Sequence, residues 1–212
     1  MKYIQFCSLD PMLSTSGLLL SSNSKGSEDL ADCVRWNNDG GGYLQLLAND
    51  YRFNGAFLWL TFKETLENPM STIAVSIMQT AGSPQTAYGA VFCHQDSNNF
   101  YRCLIRGDGH YYVDKSVSGE WETIIPWTTK TAVDPRKGPN VPNRIAISQE
   151  TANNFALYLN DTLEMEFSDN SFAGGRAGFC ASIGDKAEES LADKSEHIKF
   201  KMESPLTVPW AD

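Results

Sequence analysis

The sequence predicts an all-β protein made of two packed antiparallel sheets, and three observations predict it. First, the stretch from Tyr88 to Trp127 alternates aromatic and β-branched runs with three turn-forming clusters, Asp96 to Asn99, Gly107 to Gly109 and Ser118 to Gly119. That is the pattern of consecutive short strands joined by tight turns. Second, Phe155, Leu157 and Leu159 alternate with Ala156 and Tyr158, Asn160 and Asp161 supply a turn, and Leu163, Met165 and Phe167 alternate with Glu164 and Glu166. This hairpin reads as apolar side inward, acidic side outward. Third, helical periodicity is confined to Gly184 to Ser195, where Ala187, Leu191 and Ala192 offer only a weak apolar face on a charged loop or short helix. The strands total some twelve in this reading, with at most one helix.

Taken in order, Lys2 to Phe6 predicts a short edge strand, Leu18 to Leu20 an isolated apolar segment, and Lys25 to Asp32 a polar, acidic loop. Val34 to Trp36 and Tyr43 to Leu47 form a hairpin around Asn-Asn-Asp-Gly-Gly-Gly, which places Trp36 near Tyr43. Phe57 to Phe62 and Thr72 to Met78 are strands, the second with Ile73, Val75 and Ile77 on one side. Thr128 to Pro142 carries three prolines and reads as a rim loop, Arg144 to Ser148 resumes strand character, and Ala177 to Ile183 and Ile198 to Met202 close the set.

Within the central meander, Gln95 and Phe100 flank the Asp-Ser-Asn-Asn turn, so simple antiparallel register sets Cys93 opposite Arg102 and Phe92 opposite Cys103. One face then carries Ala90, Phe92, Tyr101, Cys103 and Ile105. The other carries Val91, Cys93, Arg102, Leu104 and Arg106, a solvated or ligand-facing surface with few apolar neighbours for its arginines. On the next strand Tyr111 and Val113 point inward and Tyr112 and Asp114 outward.

At 212 residues the chain is read as a single domain, 1–212, with enough length to bury a core without staples. Its formal charge is −9, with no concentrated basic patch, which excludes an ordinary nucleic-acid binder and disfavours anionic membranes. The apolar runs are too short to span a bilayer, and the first twenty residues lack the apolar stretch of a signal peptide. Five cysteines, Cys7, Cys33, Cys93, Cys103 and Cys180, are widely spaced and without metal-ligand spacing, so no disulfide framework is expected. The predicted register also sets Cys93 and Cys103 on opposite faces, against a local bridge.

The run YGAVFCHQDSNNFYRCLIRGDGHYYVDKSVSGEWETIIPW, then PNRIAISQ, then FALYLNDTLEMEFSDNSFAGGRAGFCA, resembles the concanavalin A-like lectin/glucanase superfamily. It is most similar to laminin-G-like jelly-roll domains of bacterial surface proteins and to the related 3-keto-disaccharide hydrolase-type domains, most densely over 88–183. Its landmarks are turns and core positions, so they speak for fold far more than for activity. The resemblance implies a jelly-roll sandwich, an extracytoplasmic or cell-surface location, and a ligand on the concave sheet or in the loops at one rim. It requires no cofactor; some members hold a structural calcium, for which Glu28, Asp29, Asp32, Asn37 to Asp39 and Asp96 to Asn99 supply oxygen without a dedicated ligand spacing.

Retaining glycosidases on this scaffold place two glutamates on one strand in an E-x-D-x-x-E pattern, because the acid and the nucleophile must stand about 5 Å apart. The nearest run here, Glu164, Glu166 and Asp169, reads as a solvated acidic face, and the dispersed pair Asp114 and Glu122 is left open. No GxSxG motif occurs, and His94, His110 and His197 have no sequence partner. His94 shares a face with Phe92 and reads as a bonded histidine beside the core. No residue is assigned a catalytic role.

Sugar binding needs an aromatic face for the apolar side of the ring and a few fixed polar groups for its hydroxyls. The candidates are Arg102, Arg106, Tyr112 and Asp114 on the outward face, with His110 and Trp127 at its rim. Trp121 and Tyr158 are further stacking candidates, but Trp121 is read more readily as core. Arginine forks would suit a carboxylate-bearing or sulfated sugar. The expected function is therefore a non-catalytic carbohydrate-binding module, its partner a glycan or glycan-bearing molecule; the alternatives are a glycoside hydrolase and a structural or protein-interaction domain.

Overall fold

A computed structural model of the chain describes residues 18–22, 34–37, 43–46, 57–66, 71–81, 86–129, 141–182 and 198–203. The expected strand at Lys2 to Phe6, the loop at Lys25 to Asp32, the segment Gly184 to Ser195, most of the proline-bearing loop, and Cys7 and Cys33 lie outside these residues. The described elements are strands throughout: β1 (Leu18–Ser22), β2 (Val34–Asn37), β3 (Tyr43–Leu46), β4 (Phe57–Leu66), β5 (Ser71–Ala81), β6 (Ala87–Asp96), β7 (Asn99–Arg106), β8 (Tyr111–Val117), β9 (Glu120–Thr128), β10 (Asn143–Gln149), β11 (Asn154–Leu159), β12 (Thr162–Ser168), β13 (Gly175–Ser182) and β14 (Ile198–Glu203). They form two seven-stranded sheets, β1-β4-β13-β6-β7-β8-β9 and β12-β11-β10-β5-β14-β3-β2. All the described pairings are antiparallel. In the predicted β2–β3 hairpin the backbone pairs are Trp36 with Leu44 and Asn37 with Tyr43.

The core lies between the sheets and is what period-two alternation would fill. Ile73, Val75 and Ile77 of β5, Ile145 and Ile147 of β10 and Phe155, Leu157 and Leu159 of β11 meet Tyr88, Ala90, Phe92, Tyr101, Cys103, Ile105, Tyr111 and Val113 from the meander. Phe92 stacks on Tyr101 at 5.2 Å between centroids, and Phe155 meets Tyr101 at 5.3 Å and stacks on Phe167 at 5.1 Å. Each buried aromatic of this kind contributes about 2–3 kcal/mol through surface removed from water.

The central hairpin departs from simple register in an instructive way. Asp96 pairs with Asn99 as the turn requires, but between Phe92 and Asp96 the ladder slips, and Phe92 lies opposite Tyr101, Val91 opposite Arg102 and Ala90 opposite Cys103. Cys93 takes φ +48, a left-handed conformation that costs a non-glycine residue about 1–2 kcal/mol. The bulge turns Cys93 into the core instead of toward Arg102, and carries His94 to the arginine side, where it stacks on Phe100 at 5.6 Å, rather than to the side of Phe92. The faces of the remaining residues survive because the slip preserves parity. Cys93 and Cys103 thus share the core, and both are free thiols, as is Cys180. The neighbouring strand accommodates the bulge: β13 shifts register between Arg176 and Gly178, and Gly175, at φ +125, lies so close that a Cβ would stand 2.8 Å from the Cys93 carbonyl carbon.

A second bulge overturns the reading of the acidic hairpin. The β11–β12 ladder shifts between Leu157 and Tyr158, so Met165 pairs with Leu157 and Leu163 with Tyr158. Glu164 is passed over and turned inward, 6% exposed, where it accepts a hydrogen bond from the Tyr111 hydroxyl. Leu163 is left 47% exposed. The solvated acidic face therefore keeps Glu166 but not Glu164.

Candidate functional site

The outer face of the meander sheet is built by the residues that alternate with the core set. It is not the sparsely apolar surface that the sequence predicts. Ala87, Val91, Phe100, Leu104 and Cys180 form a second buried cluster there, with Tyr112 packed against it. Leu104 and Tyr112 are opposite one another across β7 and β8. Gly89, opposite Leu104, admits no side chain, because a Cβ there would run into the Cys103 carbonyl of the neighbouring strand.

Arg102 and Arg106 stand on this apolar floor, and both are largely covered, their side chains 13% and 19% exposed. Arg102 sits directly opposite Asp114 and grips it with two hydrogen bonds, Nε to Oδ1 at 2.6 Å and an Nη to Oδ2 at 2.7 Å. Asp114 is 1% exposed. Burial raises its pKa above the ordinary aspartate value, against the Arg102 hydrogen bonds and charge that lower it. Arg106 closes a second fork on Asp108 at 3.2 and 2.7 Å. Asp108 also accepts from the His110 backbone N–H at 3.2 Å and lies 2.9 Å from His110 Nδ1, so it organises the β7–β8 turn. Although burial works the other way, the His110 and Arg106 hydrogen bonds hold the Asp108 carboxyl below its usual range.

Over these ion pairs lie two tryptophans of the edge strand β9. The Arg102 guanidinium is 4.0 Å from the Trp121 ring centroid and that of Arg106 is 4.5 Å from Trp127. Trp121 meets Phe100 edge-on at 5.5 Å, and Trp127 stacks on Tyr112 at 4.9 Å and 24°. The tryptophans remain 44% and 38% exposed. Between them the Tyr112 hydroxyl and Thr123 Oγ1 are hydrogen-bonded at 2.8 Å.

The structure thus brings Arg102, Arg106, His110, Tyr112, Asp114 and Trp127 onto one face, and adds Asp108, Trp121 and Thr123. Trp121 is not core as the sequence reading favoured. The signal for it was present: a two-residue Ser118–Gly119 turn pairs Val117 with Glu120 and hence Ser116 with Trp121, which puts Trp121 on the face of Asp114. Asp114 and Glu122 do not converge, since Glu122 lies opposite Lys115 and pairs with it at 3.2 Å, on the other face from Asp114. Lys115 also meets Asp169 at 2.6 Å, which in turn accepts from the Tyr101 hydroxyl at 2.6 Å, closing the rim of the core. Among the described residues no three or more His, Cys, Asp or Glu side chains gather as metal ligands would, and Asp96 is occupied by Asn98 N–H at 2.8 Å and the Asn99 side chain at 2.9 and 3.0 Å. No helix among the described residues is long and apolar enough to cross a membrane.

No family model matches the sequence, and no curated protein matches it. Solved structures do match the fold. A carbohydrate-binding module, CBM66, from Bacillus subtilis superposes with a TM-score of 0.57 at 14% identity over 87% of this chain and 92% of its own. A glycoside hydrolase family 16 endo-glucanase from Bacteroides ovatus superposes with a TM-score of 0.60 at 8% identity over 90% and 94%. The carbohydrate recognition domain of Emp46p, in its metal-free form, does so with 0.52 at 13% over 96% and 97%. Two seven-stranded antiparallel sheets, a meander at the edge of one of them and these superpositions together establish that the chain has the concanavalin A-like jelly-roll fold.

Proposed function

We propose that the protein binds a carbohydrate on the outer face of β7, β8 and β9 and performs no chemistry on it. One observation carries this: Trp127 is stacked on Tyr112, backed by Arg106, and left 38% exposed, so a flat aromatic surface is held by its own support, and Arg106 ties that support to the Asp108–His110 turn. A sugar ring needs that combination of an apolar plane and fixed hydrogen-bonding groups. Arg102 and Asp114 hold the floor, while Tyr112, Trp127 and His110 make the contact. The company the fold keeps, with a carbohydrate-binding module, a carbohydrate recognition domain and an endo-glucanase among its structural neighbours, supports a glycan as the partner.

The test is a glycan array followed by calorimetry on the glycans retained. Trp127→Ala is expected to weaken binding about 10-fold or more, as removal of a central aromatic contact does, while the thermal midpoint moves by only a few degrees. If wild-type protein retains no glycan, the reading fails. Release of reducing ends from a polysaccharide panel would replace it with a glycoside hydrolase.

A further inference from the structure

We infer that the ligand of this face is an uncharged oligosaccharide that lies along β9 and engages Trp121 and Trp127 as two separate platforms; this rests on the carbohydrate reading above. The first ground is the state of the arginines. A guanidinium recognises a carboxylate or sulfate by presenting its fork, and here both forks are already closed on carboxylates of the chain, Arg102 on Asp114 and Arg106 on Asp108. Each guanidinium also lies against a tryptophan ring. For an anionic sugar to take the Arg102 fork, Asp114, 1% exposed, would be left buried without its partner, and to take the Arg106 fork it would have to displace Asp108, which the His110 turn also holds in place. With the chain at a formal −9, long-range attraction for an anionic glycan is also lacking. The earlier expectation of a carboxylate-bearing or sulfated sugar is therefore replaced.

The second ground is spacing. Trp121 and Trp127 lie on one edge strand and one face, each with about two fifths of its surface open, 44% and 38%. Trp121 lies opposite Ser116, and Thr128, next to Trp127, lies opposite Tyr111, so the six steps between the tryptophans, two of them taken up in bulges, span roughly 14 Å of extended strand. A single sugar ring cannot touch both. Between them sits the Thr123–Tyr112 hydroxyl pair, which can exchange hydrogen bonds with ring hydroxyls and carries no charge. Two modest stacking sites joined by one ligand convert the second contact into an intramolecular event, so affinity should climb with chain length and not merely with sugar type.

The experiment is calorimetric titration of the full chain with neutral gluco-, manno-, xylo- and fructo-oligosaccharides of two to six units, beside oligogalacturonate and sulfated heparin oligosaccharides of matched length, in low and in physiological salt. The expected result is binding of a neutral series, unchanged by salt, with the hexamer at least 10-fold tighter than the dimer. Trp121→Ala and Trp127→Ala should each abolish the length dependence, and Trp121→Phe, which keeps a plane on the Phe100 and Arg102 support, should restore most of it. Salt-sensitive preference for the anionic series would overturn the inference and leave carbohydrate binding standing. So would a neutral series bound equally as dimer and hexamer. Binding of neither series would overturn the inference together with the reading it rests on.

Discussion

The two faces of the β7–β8 pair are made by alternate residues of the same strands, yet they are held by different forces. Inward, Tyr101, Cys103, Ile105, Tyr111 and Val113 bury apolar surface against the second sheet, each at most 1% exposed. Outward, Leu104 and Tyr112 supply a smaller apolar floor, and the rest is two arginine–aspartate forks roofed by tryptophan. The inner face is held mainly by volume and makes few directional demands, chiefly the Tyr111–Glu164 and Tyr101–Asp169 hydrogen bonds. The outer face is more directional, because its arginines are set by paired hydrogen bonds to Asp114 and Asp108. The outer charged groups are engaged with one another beneath the aromatic surface, and what reaches solvent is tryptophan together with His110 and the Thr123–Tyr112 hydroxyl pair.

The largest expected effect comes from breaking that dependence. Asp114→Ala leaves the Arg102 charge covered without its fork and should cost about 3–5 kcal/mol in denaturant unfolding. The paired replacement Arg102→Met with Asp114→Leu removes both charges and fills similar volume, and should restore most of that loss. If the single and double replacements were equally damaging, the outer face would depend on the ion pair itself rather than on the cost of leaving one member alone.

Acid sharpens the comparison, because protonation is resisted on both faces, at His94 and Asp108 outside and at Asp169 on the inner rim. On the outer face burial, helped by the Arg176 charge, pushes His94 down to about 4, well below the usual histidine range. A depressed histidine stabilises the fold fully above its unfolded pKa, and the contribution is lost as pH falls from about 6.5 to about 4, some 3 kcal/mol in all. At the rim of the inner face burial would raise Asp169, but hydrogen bonds from Lys115 and Tyr101 prevail and hold it at about 2. A depressed carboxyl likewise stabilises above its unfolded pKa, near 4, and loses that contribution between about pH 4 and 2, a smaller loss because solvent screens this rim group. Unfolding free energy measured against pH should therefore fall in two stages. His94→Leu should flatten the upper stage and leave the lower, and Asp169→Asn should shrink the lower, to which Asp108 also contributes, and leave the upper. A single fall, unaffected by the His94 replacement, would mean that the outer face admits water.

Much of the fold was legible because alternation reports a face directly: Ile73, Val75 and Ile77, or Tyr111 against Tyr112, needed nothing beyond period two. Of the candidate site, Arg102, Arg106, Tyr112 and Asp114 were placed correctly on the outer face by the same rule. What alternation could not report was a bulge, since one extra residue reverses every later assignment until another compensates. Cys93 and His94 were misplaced for that reason. Nor could it show that Asp108 would turn back onto Arg106, because that pairing is made by a turn and not by a ladder. The forks, and with them the charge balance of the outer face, depend on contacts that alternation does not encode.

The smallest expected effect bears on the same limit. By alternation Leu163, Met165 and Phe167 should be equivalent core positions of β12, but the shift at Leu157 and Tyr158 separates them. Met165 and Phe167 pack against the core while Leu163 is 47% exposed. Leu163→Ser should accordingly change stability by no more than about 0.5 kcal/mol, as exposed substitutions do. Met165→Ser, which trades a half-buried side chain for a hydroxyl, should cost about 2 kcal/mol or more. In two-state denaturant unfolding the pair reads the bulge without reference to any ligand. If Leu163→Ser proved as costly as Met165→Ser, the ladder would run without the bulge, Glu164 would return to solvent, and the hydrogen bond that ties it to Tyr111 beneath the candidate site would have no place in the fold.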